Sequence, residues 1–153
     1  MTHPNRLIKH CHLAWVLGGL VLGCLMALSI RAEADVAVII NAKNTTASLP
    51  REVATRIFLQ QINSLENLGR VYPIDLPETS NTKKEFNQKI LKKTGVVLRA
   101  YWARLMFTGK GHAPKVITTE ADVVRLVANN VELIGYVAPE YVTNDVKVIL
   151  LVK

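Results

Sequence analysis

Four short runs of β-branched and aliphatic residues punctuate this chain: 36–40 (VAVII), 71–75 (VYPID), 133–137 (LIGYV) and 146–152 (VKVILLV). Continuous apolar runs of this length suit strands buried on both faces, as in a sheet covered by helices. The intervening segments repeat apolar residues at helical spacing instead. Pro50 suits a first helical turn, and Val53, Ile57 and Phe58 follow it through to about Gln60. From Thr82, residues Phe86, Ile90 and Leu91 mark the buried face of a second helix, whose outer face carries Lys83, Lys84, Lys89, Lys92 and Lys93 and which Gly95 ends. Leu98, Tyr101, Trp102 and Leu105 predict a third helix over 97–108, followed by a loop over 109–114. Thr118 or Thr119 caps a fourth, with Val123, Val124, Leu126 and Val127 on its apolar face. Asn67, Leu68 and Gly69 read as a turn, and Pro73 places its strand at an edge or puts the proline at a strand terminus. The order predicts an α/β fold with a mostly parallel or mixed sheet flanked by helices.

The first 34 residues stand apart from that pattern. Arg6 and Lys9 precede an apolar stretch over 14–30, and Ala32-Glu33-Ala34 supplies the small-x-small pattern of a cleavage site before Asp35. We therefore expect a signal peptide over 1–34, export to the periplasm, and one domain over 35–153. The alternative is an uncleaved N-terminal membrane anchor, since the stretch approaches the ~20 residues of a membrane span. A lipoprotein-type site at Cys24 fits less well, because bulky Leu22 stands beside the cut and apolar residues continue past it.

Both cysteines, Cys11 and Cys24, and three of the four histidines fall in the leader. The remaining 119 residues then have His112 and no cysteine, so disulfide, thiol and zinc-cluster chemistry is not expected of them. They contain no nucleophile elbow, phosphate loop or paired catalytic carboxylates, and we expect no enzymatic activity, no metal and no cofactor. They stay basic, with 16 Lys and Arg against 11 Asp and Glu, which favours anionic partners. Export and the lack of an aromatic-interleaved basic stripe argue against nucleic acid.

An anion has one obvious place to sit, the junction over 75–86 (DLPETSNTKKEF). The first N–H groups of a helix lack intrahelical partners and lie at the positive end of its dipole. Ser80, Asn81 and Thr82 add side-chain donors there, and Lys83 and Lys84 add charge. The same residues also suit plain capping, with Thr82 and Glu85 as a capping box. The loop over 41–48 likewise follows a strand end, so the two loops could converge on one site.

Several separated motifs appear in the order and spacing of periplasmic phosphate-binding proteins of ABC importers: Val38-Ile39-Ile40-Asn41, Arg51-Glu52 with Arg56-Ile57-Phe58-Leu59, Val71-Tyr72-Pro73-Ile74-Asp75, and Ile134-Gly135-Tyr136-Val137. The segment 100–111 (AYWARLMFTGKG) resembles a group of short proteobacterial proteins similar to those binders. The resemblance implies a domain like one lobe of a type II periplasmic binding protein. It also implies an oxyanion site at Thr79, Ser80, Asn81 and Thr82, where the family carries Gly-Ser-Gly-Thr at a helix start. Here both glycines are replaced, and Asp75, Leu76, Pro77 and Glu78 stand where the family has an arginine. Losing a bidentate guanidinium and gaining carboxylates implies weak binding, and a single lobe cannot enclose a ligand between two.

The resulting expectation is an exported, non-catalytic substrate-binding-protein-like domain that binds phosphate or another small oxyanion, with Asn41 and Asn44 as supporting ligands. Its expected partners are a membrane permease or sensor, or a second copy of itself. The alternative is a protein-interaction or sensory accessory domain that has lost ligand binding, its surface formed by the lysine-rich helix and by Tyr101, Trp102 and Phe107.

Overall fold

Val36 to Ile40 are entirely buried and make up most of β1 (Val36–Asn41), an inner strand with neighbours on both sides. This computed structural model describes residues 35–66 and 68–153; the expected leader and Asn67 lie outside the described residues. The further elements in chain order are α1 (Arg51–Phe58), β2 (Ser64–Leu65), β3 (Gly69–Arg70), β4 (Tyr72–Asp75), α2 (Asn81–Phe86), a π-helical turn (Asn87–Leu91), α3 (Gly95–Phe107), β5 (Lys115–Val116), α4 (Glu120–Asn129), β6 (Leu133–Val137), a 3-10 turn (Pro139–Tyr141) and β7 (Val146–Val152). The expected α/β class holds: five strands in the order β5-β4-β6-β1-β7 form a mixed sheet, with β2 and β3 as a separate small hairpin.

Strand direction decides what the sheet can bring together. β4 runs parallel to β5 and β6, whereas β1 runs antiparallel to both β6 and β7. Asn41 at the end of β1 therefore lies beside the starts of β4 and β6, and the turn after β4 lies at the opposite end. The expected convergence of the 41–48 and 77–82 loops is thus overturned. Pro73 is tolerated in an interior strand because β4 joins β5 only at Ile74 and Asp75, one residue further on.

Two helix boundaries differ from expectation. The helix begun at α2 loosens into the π turn and stops at Lys92, whose φ of 54° is left-handed, and Lys93 N–H closes on Asn87 O. Gly95, expected to end that helix, begins α3 behind the Thr94 cap. A lysine carries the left-handed residue at a cost of about 1 kcal/mol, which helix-stop rules based on glycine do not anticipate. The expected outer face is also not uniformly outward. Lys83 and Lys89 are buried, and Lys89 reaches Glu85 at 3.4 Å.

Gly135 sits where α4 presses on β6. A Cβ there would lie 2.7 Å from Val123 Cγ1 and 3.3 Å from Ile74 Cγ1. Gly135→Ala is expected to cost about 2 kcal/mol through overpacking, read as a lower urea midpoint with an unchanged slope. A neutral result would show that Val123 can yield.

Candidate functional site

The turn leaving β4 is held by an ion cluster. Asp75 Oδ1 accepts from Leu76 N–H at 2.8 Å and from the hydroxyl of buried Tyr136, and its Oδ2 meets Lys83 Nζ at 2.8 Å. Lys83 also reaches Glu78 Oε1 at 2.9 Å. Burial pushes the Lys83 pKa down, but the two carboxylates outweigh it, and the net direction is upward. Burial, reinforced by the Asp75 charge, pushes the Tyr136 hydroxyl well above its ordinary range. Lys83 was expected to lend its charge to an anion. It faces inward instead, neutralised by Asp75 and Glu78.

Ser80, not Thr82, caps α2: its Oγ accepts from Lys83 N–H at 3.2 Å. The Thr82 hydroxyl donates to Glu120 Oε1 at 2.7 Å, so the expected capping box with Glu85 gives way to a link to α4. The other Glu120 oxygen accepts from Ala138 N–H at 2.6 Å. A carboxylate of the chain itself thus gathers one hydroxyl and one backbone donor from two elements beside the start of α2. Thr119 caps α4 by accepting from Asp122 N–H at 3.1 Å.

These residues border an open depression of about 500 Å³ at the carboxyl ends of parallel strands β4 and β6. Thr79, Ser80, Asn81 and Thr82 line one side, and Thr118, Thr119, Glu120 and Glu140 also border it. Four of the predicted site residues therefore share one surface, while Asn41 and Asn44 do not. The Asn41 amide donates to Val127 O at 3.0 Å and Ala128 O at 2.6 Å, tying the end of β1 to the end of α4, and its Oδ1 accepts from Lys43 N–H at 2.9 Å. Asn44 donates to Val131 O at 3.1 Å. Both act as loop anchors at the far end of the sheet, a correction to the supporting ligands expected from the sequence. Thr118 and Thr119 were expected only as cap candidates and Glu120 not at all, because it is the parallel β4–β5 pairing, continued by Ile117 N–H to Asp75 O at 2.8 Å, that carries them to the turn.

No protein-family model matches the chain, and no curated protein matches it. Solved structures do match. A protein assigned as a phosphate ABC transporter substrate-binding protein from Clostridium perfringens, with bound phosphate, superposes with a TM-score of 0.60 at 17% identity, covering 76% of this chain and 45% of its own. An ABC-type phosphate transport receptor from Vibrio cholerae gives 0.58 at 19% identity, covering 76% and 47%. PstS from Borrelia burgdorferi gives 0.54 at 11%, again covering 76% and 47%. The fold is that of part of a phosphate ABC transporter substrate-binding protein, and the chain spans a little under half the length of these relatives.

Proposed function

We propose that this chain is an exported substrate-binding-protein-like lobe that takes phosphate or another small oxyanion weakly at Thr79, Ser80, Asn81 and Thr82. One observation carries the reading. A depression bordered by hydroxyls and an amide opens at the start of α2, at the carboxyl ends of parallel strands, in a fold shared with phosphate-transport proteins. Weak affinity follows from its charges, since Glu120 and Glu140 border it and Lys83 is already paired. Export to the periplasm rests on the leader, and work alongside a permease rests on the relatives.

Titrating inorganic phosphate into the 15N-labelled protein is expected to shift the amides of Ser80 to Lys83 at millimolar concentrations. Ser80→Ala with Thr82→Ala should abolish those shifts. The lost Ser80 cap should lower stability by about 1 kcal/mol without unfolding the domain. Unmoved amides up to tens of millimolar phosphate would sink the reading.

A second reading, an interaction or sensory accessory domain, draws support from the outer surface of α3. Val96 is 67% exposed, Met106 62% and Phe107 94%, unusual for apolar residues on one helix. A pull-down that recovers a permease or a membrane sensor would favour it.

A further inference from the structure

Helix α3 is packed on one side only. Leu98 is buried and Tyr101, Trp102 and Leu105 are half-buried, with Tyr101 donating to Leu59 O at 2.8 Å. At helical periodicity the opposite side carries Val96, Ala100, Ala103 and Phe107, all exposed, so a second apolar stripe faces water where a polar one is usual. The charges that α3 and the loop after it contribute have one sign, although Glu78 stands beside Arg99 at the start of the helix. Arg99 and Arg104 flank the stripe, Lys110 and Lys115 follow it, and no Asp or Glu occurs between Asn87 and Thr119. A second copy docking by the same face would bring these cations together with no acid on the helix to offset them. The face calls for an anionic partner with an apolar interior.

We infer that the outer face of α3 rests on an anionic membrane surface. Phe107 and Met106 enter the headgroup boundary, and Arg99, Arg104 and Lys110 meet lipid phosphates. Interfacial helices set apolar residues at the headgroup boundary with Lys and Arg beside them; α3 offers only its outer stripe for this, its other apolar side being packed on its own domain, and each cation near an anionic surface adds attraction. None of the described helices is long and apolar enough to cross a membrane, so α3 lies on the surface rather than spanning it. No α3 residue borders the depression at Thr79–Thr82, which makes this inference independent of the oxyanion reading.

Hydrogen exchange of the full chain with vesicles tests it. With equal parts phosphatidylglycerol and phosphatidylcholine, exchange over 95–116 is expected to slow. Pure phosphatidylcholine should leave it unchanged, and high salt should reverse the slowing. Arg104→Glu with Lys110→Glu, both at exposed positions, should cut vesicle-dependent protection of that segment at least ~tenfold while keeping the leader and the fold, checked by circular dichroism. Three outcomes overturn the inference: no phosphatidylglycerol-dependent protection over 95–116, protection that the double variant retains, or protection that appears without vesicles as protein concentration rises, which would indicate a second copy.

Discussion

Phe86→Ala is expected to remove roughly 4 kcal/mol of folding stability, close to half of what a domain of this size commonly has. Phe86 is 2% exposed. Its ring stacks on Tyr136 with centroids 3.8 Å apart and planes 5° from parallel, and it meets the Phe58 edge at 4.7 Å. The truncation removes buried area, leaves a cavity among rings from α1, α2 and β6, and forfeits aromatic pairing of ~1 kcal/mol. Phe86→Leu should recover about half of the loss, because it refills volume without restoring the stack. Urea unfolding followed by circular dichroism measures both variants. A loss under about 1.5 kcal/mol for the alanine would mean that the cluster collapses around the gap.

Lys83→Met should cost about 3 kcal/mol, since it leaves the largely buried Asp75 carboxylate without its cation, whereas Glu78 is exposed and stands near Arg99. The pH dependence follows from two upward shifts. Lys83 and Tyr136 both hold their protons more tightly in the folded state than at their ordinary values of 10.5 and 10.0. Each therefore contributes stability that is complete below its ordinary value and is lost as pH rises through its higher folded value. The wild-type protein is expected to lose stability progressively above pH ~10 on this account. The methionine variant, lacking the Lys83 contribution, should start lower and lack that part of the decline. Urea midpoints across the alkaline range decide it, and a wild-type midpoint still level well above pH 11 would refute the linkage.

Strands β1, β4, β6 and β7 were legible because each is a short apolar run, and the apolar faces of α1 and α4 because their periodicity is strong, whereas β5, only Lys115–Val116, was not expected. What local sequence hides is mostly pairing. Nothing near Lys83 says that Asp75 turns back to meet it, so helical spacing alone placed it outside. Nothing in VAVII says that β1 opposes β4, and that reversal is why Asn41 and Asn44 anchor a distant loop. The hairpin Ser64–Leu65 with Gly69–Arg70 is too short and polar to leave a pattern. Within the candidate site, Thr79 to Thr82 could be located from the sequence by resemblance. Glu120, which holds Thr82, comes from 38 residues away in sequence and was invisible to any local rule.

The placement of β1 between β6 and β7 bears on how the molecule reaches its fold. Val36 pairs with Val152, and Ala37 faces Val137 on the other side. The earliest strand of the sheet is completed by its two latest, so its contacts close over nearly the whole domain. Such long closures slow folding. Until the last strand arrives, VAVII is an apolar segment with both edges open, the state most prone to mispairing with other chains. Any process that keeps the chain extended until its end is available would protect that strand, and a stalled or truncated product would carry it exposed.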